Sequence, residues 1–132
     1  ERAFIEQPKR AVSQMNALKK MGVRIAIDDF GAGYSSLLYL RNFPVDTLKI
    51  DRVFIQSLEN SPPTLSIVKA ILQVANDLGI EVVAEGVETE RQKEILDMLR
   101  CHVLQGYLFC MPMPPEELVQ WHEGRKLHQH IG

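Results

Sequence analysis

Val23-Arg24-Ile25-Ala26-Ile27-Asp28-Asp29, residues 23–29, is the stretch that decides the fold. Val23, Ile25, Ala26 and Ile27 form a short apolar run that stops abruptly at two adjacent acids. Such a run reads as a strand buried on both faces, the kind found in parallel sheets. Upstream, Ala11, Val12, Met15, Leu18 and Met21 fall at helical spacing within residues 8–21, and Gly22 stops that helix. Downstream the alternation repeats. Residues 35–43 predict a helix closed by Pro44, residues 47–50 a second buried strand ending near Asp51, and residues 52–58 a short helical turn. Ser61 is a good N-cap with Pro62 at the first helical position. The helix after it carries Leu65, Val68, Ile71, Leu72, Ala75 and Leu78 on one face, and Gly79 ends it. Residues 82–84 predict a third strand stopping at Glu85. Thr89 and Gln92 have capping-box spacing ahead of Ile95, Leu96 and Leu99. Residues 102–104 predict a weaker fourth strand ending at Gln105, and residues 114–124 a last helix with Leu118, Val119 and Trp121.

Four strand-then-helix units behind a leading helix predict an α/β chain with a parallel sheet. Four units are half of an eight-unit barrel, which takes about 250 residues when complete. The alternative is a small open doubly wound sheet, although no GxGxxG loop follows the first strand. The 132 residues are 45% hydrophobic and 24% charged, which excludes a disordered tail and a fibrous repeat. No uncharged apolar run reaches the roughly 18 residues of a membrane helix. The greasiest stretch, residues 67–84, is broken by Lys69, Asn76, Asp77 and Glu81, so no direct membrane contact is expected. The net charge of −2 argues against a nucleic-acid polymer as partner, and an anionic ligand needs local positive charge. Cys101 and Cys110 fit no zinc or CxxC spacing and are expected to be reduced and buried in a cytoplasmic chain. His128 and His130 read as a polar tail rather than a metal site. The first residues have neither signal-peptide form nor Met, and the chain is expected to be cut from something longer.

Each strand run stops at polar residues: Asp28 and Asp29, then Lys49 and Asp51, then Glu85, then Gln105. In parallel α/β folds the carboxyl ends of the strands face the site, so these residues should converge. A single acid at a strand end is most often an N-cap or a solvated turn, but that reading explains four successive strands poorly. Adjacent carboxylates near low dielectric repel each other, and one protonates unless a cation intervenes. Lys49 cannot neutralise the whole cluster, whereas a divalent metal can. Oxygen ligands without clustered His or Cys favour Mg²⁺, Mn²⁺ or Ca²⁺. Carboxylate-held metals suit phosphoryl chemistry and let a net-acidic protein bind an anionic diester. Lys49 would orient water or offset charge in the transition state.

At these residues the sequence resembles a known family. Residues 28–37 (DDFGAGYSSL), 48–52 (LKIDR), 83–89 (VAEGVET) and 105–109 (QGYLF) look like the motifs of the EAL-domain cyclic di-GMP phosphodiesterases, in the right order and spacing. The resemblance extends over the chain apart from residues 127–132. It implies a modified eight-fold β/α barrel that hydrolyses one phosphodiester of cyclic di-GMP to linear pGpG with Mg²⁺ or Mn²⁺. It further implies that Asp28 and Asp29 are metal ligands and that Lys49 positions or activates water. Glu85 becomes the metal-site glutamate with a base role, and Glu88 the motif's second glutamate beside the substrate. Gln105 matches the site glutamine, and Glu1 aligns with a further metal-binding glutamate. Ala32 stands where many members have Thr. The signature Glu-Ala-Leu strand is absent, with its arginine and its metal-binding glutamate, and so is the asparagine of the next segment. Residues 1–132 are therefore expected to be the C-terminal half of such a domain, with a flexible tail at 127–132 and little activity alone. Uncovered apolar strand faces and open edges predict a homodimer. The alternative is a degenerate domain that binds cyclic di-GMP or a protein partner without cleavage. Every site position expected in this half is occupied, which favours the enzyme.

Overall fold

The computed structural model describes residues 8–31 and 40–129. Helical spacing upstream of the first strand gives α1 (Pro8–Lys20), which buries Ala11 and Met15 and leaves Leu18 and Met21 exposed. The next elements are β1 (Ala26–Phe30), β2 (Thr47–Ile50) and the short α2 (Arg52–Gln56). They are followed by α3 (Pro62–Asp77), β3 (Glu81–Glu85), α4 (Glu90–Met98), β4 (Val103–Gln105) and α5 (Pro115–Gln129). The helix expected over residues 35–43 falls mostly outside the described residues.

The caps form as their chemistry dictates. Asp51 accepts from the Val53 N–H at 2.7 Å, Ser61 from the Thr64 N–H at 3.3 Å, and Thr89 with Gln92 completes a reciprocal capping box. Leu65 and Leu78, expected on the apolar face of α3, are exposed, whereas Val68, Ile71, Leu72 and Ala75 are buried. The last helix runs past Gly124 to Gln129, into residues read from sequence as a flexible tail.

The four strands are all parallel and lie in the order β1-β2-β3-β4, the same as in sequence. A doubly wound sheet would reverse direction at a switch point. Sequential order with crossovers of one hand is the arrangement of a barrel arc. Accordingly one face carries the core. Leu48 and Ile50 of β2 and Val82 and Ala84 of β3 are fully buried against Val68, Leu72, Ala75 and Leu96 of the helices. Each Val, Leu or Ile side chain in this layer contributes about 1.5–3 kcal/mol, so the layer dominates stability.

The opposite face corrects the sequence reading. Strands buried on both faces were the expectation, but Thr47, Lys49, Glu81, Val83 and Glu85 are only half-buried, and Val103 is exposed. In β1, Ala26, Asp28 and Asp29 are exposed and only Phe30 is buried. The physical reason is that the core sits on the helix side of the sheet and no second layer among the described residues covers the other side, where β1 is also an edge strand. Neither Cys101 nor Cys110 is disulfide-bonded, and both are half-buried rather than buried.

Two contacts lock the sheet. At its start, the Asp46 carboxylate accepts from the Ile25 N–H at 2.7 Å and pairs with Lys19 of α1, while its backbone bridges residues 25 and 81. At its end, Gly106 lies so close to Val87 that a Cβ there would run into the Val87 carbonyl and nitrogen. That approach lets Val87 donate to the Gln105 carbonyl and accept from the Leu108 N–H, both at 3.0 Å.

Lys19 and the Ile25 amide hold the Asp46 carboxyl below its ordinary 3.8. The depressed group adds stability above the unfolded value and loses it as pH falls through the lower folded value. Asp46→Asn should therefore narrow the gap between urea midpoints measured near neutrality and at about pH 3. An unchanged gap would remove Asp46 as a source of acid sensitivity.

Candidate functional site

Successive residues of a regular strand point to opposite faces of the sheet. Asp28 and Asp29 escape this rule through a bulge. Ile27 pairs with Leu48 and Phe30 with Ile50, so three steps along β1 match two along β2. Asp29 takes up the extra residue with φ of 51°. Asp tolerates this left-handed region better than most residues, and β-branched residues would be strained there. Both carboxylates thus reach the open face, where Glu85 arrives from the end of β3. One oxygen from each of Asp28, Asp29 and Glu85 lies within 4.8 Å of the others.

Lys49 enters from β2 between them. Its Nζ is 2.5 Å from Glu85 Oε1 and 3.2 Å from Asp28 Oδ1. The Glu85 carboxylate foremost, then Asp28, holds the ammonium above the ordinary lysine range against the opposing effect of burial. Lys49 and Glu85 are 27% and 19% exposed at the side chain while Asp28 is 64% exposed, so the group is open to a ligand. Three carboxylates against one ammonium leave net negative charge, and the donors are hard oxygens. That set fits Mg²⁺, Mn²⁺ or Ca²⁺ and not a soft metal.

Other expected residues divide. Gln105 is in register with Glu85 on the neighbouring strand and exposed at the edge of the site. Glu88 is exposed, three residues beyond β3, with its N–H donating to Gln92 Oε1 at 2.8 Å, and it does not belong to the Asp28–Asp29–Glu85 group. Asp51 takes the plain role of a helix cap. Glu1 lies outside the described residues. Sequence reading missed a cleft of about 720 Å³ beside Gln105, lined among others by Tyr107, Phe109, Met113, Trp121 and Arg125. The Arg125 guanidinium lies 4.7 Å from the Trp121 ring centroid and 6.0 Å from that of Phe109. Its signal was an aromatic and Met-rich run at residues 107–113 facing an aromatic on the last helix.

A parallel β/α arc with acids gathered at the carboxyl ends of its strands defines a barrel-type protein whose site suits a hard cation. The chain belongs to the EAL domain family, whose model matches residues 1–112. It is 51% identical over 105 residues to the bifunctional diguanylate cyclase/cyclic di-GMP phosphodiesterase MucR of Pseudomonas aeruginosa, covering 80% of this chain and 15% of that protein. The solved MucR phosphodiesterase in complex with c-di-GMP superposes with a TM-score of 0.81 at 47% identity, over 87% of this chain and 47% of the other. The Klebsiella pneumoniae protein BlrP1, solved with manganese and cyclic di-GMP, superposes with a TM-score of 0.76 at 38% identity, over 83% of this chain and 28% of the other. The chain thus spans a small part of its full-length relative and about half of the solved MucR domain.

Because Lys49 competes with any cation for Asp28 and Glu85, Lys49→Met should strengthen Mn²⁺ binding by the chain. The expected gain is about fivefold, equivalent to ~1 kcal/mol of relieved competition in a partly exposed group. Titration calorimetry that finds weaker or equal binding would refute that competition.

Proposed function

We propose that this chain is the C-terminal half of an EAL phosphodiesterase barrel and supplies its share of a site that hydrolyses cyclic di-GMP to linear pGpG. The observation that carries this reading is the convergence of Asp28, Asp29 and Glu85 within 4.8 Å, with Lys49 between them. In this reading Asp28, Asp29 and Glu85, with Glu1, hold Mg²⁺ or Mn²⁺. A bound cation of this kind neutralises phosphate charge and eases deprotonation of water. Lys49 loses its two carboxylate partners to the metal, which frees its ammonium to hold the attacking water or the phosphate oxygen. Glu85 accepts the proton of that water. Water adds to phosphorus, one bridging P–O bond breaks, and the released sugar oxygen takes up a proton, so one ring-opening hydrolysis gives pGpG. Gln105 at the edge of the site and the apolar cleft beside it suit a purine base, and Glu88 contacts the substrate from the loop after β3. The relatives named for cyclic di-GMP support the substrate, and the manganese complex of BlrP1 supports the metal class.

Placed in a complete EAL barrel with Mn²⁺, the chain should convert cyclic di-GMP to pGpG, read by chromatography of the nucleotides. Lys49→Ala should lower kcat by about 10²–10⁴-fold, the usual range for a group acting on the transferred proton or its water. The 132-residue chain alone should give no product. Tight binding without pGpG in the complete barrel would instead mark a sensor of the dinucleotide.

The same reading makes the exposed face of the sheet an association surface. Ala26 and Val103 are exposed there, and β1 and β4 end the sheet on either side. The isolated chain should form a homodimer in light scattering at high concentration. A folded monomer under those conditions would contradict the proposal.

A further inference from the structure

We infer that the five-residue helix α2 is a brace that sets the distance between the carboxylates on β1 and those on β3, with Phe54 and Arg52 as its positioning residues. The inference rests on the metal reading proposed above. Two glycines follow the acidic strand ends, Gly31 directly after β1 and Gly86 directly after Glu85, and both have positive φ, 99° and 75°. A Cβ on Gly31 would lie 2.5 Å from Phe54 Cε2 and 2.7 Å from Cζ. A Cβ on Gly86 would lie 2.6 Å from the Arg52 Cβ and 3.4 Å from its Cα. One short helix is therefore seated on the backbone immediately past both ligand-bearing strands.

The brace is itself fixed. Asp51 caps its first turn, Ser57 Oγ donates back to the Val53 carbonyl at 3.0 Å, and Ile55 is fully buried in the core. Phe54 is half-buried and packs against that core while its ring covers Gly31. Lys49 lies two residues before Asp51 on the strand that leads into the helix. Thus β1, β2 and β3 meet the same five residues, and the bulge at Asp29 is held by a ring two residues further on. Among the described ion pairs Arg52 meets none of the three carboxylates, and Phe54 has no polar side-chain atom, so their effect on the group passes through backbone. Cation sites tolerate displacements of only about half an ångström, which makes such a support matter. Loss of comparable supporting contacts weakens metal binding about 10–100-fold.

Mn²⁺ binding to the 132-residue chain, followed by electron paramagnetic resonance of the free ion, tests this without any need for turnover. Phe54→Ala should weaken binding about tenfold, and Phe54→Leu, which refills most of the space over Gly31, should restore it to within about threefold. Ile55→Ala, whose side chain faces the core instead, should lower the thermal midpoint more than Phe54→Ala does. It should still leave the Mn²⁺ affinity of the folded chain within about threefold of wild type. If Phe54→Ala fails to fold, Phe54→Val, which leaves part of the space over Gly31 unfilled, takes its place and should weaken binding by more than about threefold. Asp28→Asn and Asp29→Asn separate the two readings. If neither weakens binding, the metal reading fails and the brace falls with it. If both weaken it and Phe54→Ala does not, the brace alone is overturned. The brace is also overturned if Phe54→Ala and Ile55→Ala reduce affinity in proportion to their losses of stability.

Discussion

Three carboxylates crowd within 4.8 Å of one another, and a single ammonium stands among them. In a buried pocket that imbalance would drive one acid to protonate. Here the sheet keeps the group half-open, so water screens the repulsion. Lys49 sets a positive charge among the acids, 2.5 Å from Glu85 and 3.2 Å from Asp28, and so offsets part of their repulsion. The electrostatics explain why a lysine occupies the middle of an otherwise apolar run, where the sheet would accept a valine more readily.

The molecule separates its two tasks by face. Leu48, Ile50, Val82 and Ala84 look toward the helices and are fully buried, while Lys49 and Glu85, the residues between or beside them, look the other way. Period-2 alternation thus divides stability from chemistry at single-residue resolution. Exposed ion pairs add little to folding, about 0–1 kcal/mol each, compared with the helix-side layer. The site can therefore carry a charge imbalance without threatening the fold.

The alternation of periods along the chain was enough to read a parallel barrel arc, and strand-end polarity was enough to name Asp28, Asp29, Lys49 and Glu85. Burial was less legible. The run 23–29 looks doubly buried because apolar residues outnumber polar ones in it, but no layer among the described residues covers the open face and Ala26 is exposed. The bulge was illegible because register is a property of two strands, and residue 29 shows its left-handed backbone only once Phe30 is paired with Ile50. The crowding at Gly31 and Gly86 was likewise illegible, because it depends on where Phe54 and Arg52 of a separate helix come to lie. Glu88 sits in a motif that resemblance links to substrate, yet its backbone serves the capping box of α4, a local role that spacing alone also explains.

The bulge at Asp28 and Asp29 also bears on strand addition at the margin of the sheet. An exposed parallel edge invites any extended segment to add as another strand. On β1, an edge among the described residues, the ladder is kinked by an extra residue, and of the two acids there Asp28 is paired with Lys49 at 3.2 Å. At the other margin β4 offers only three residues as a template. Indiscriminate stacking is thereby discouraged at both margins of the described sheet.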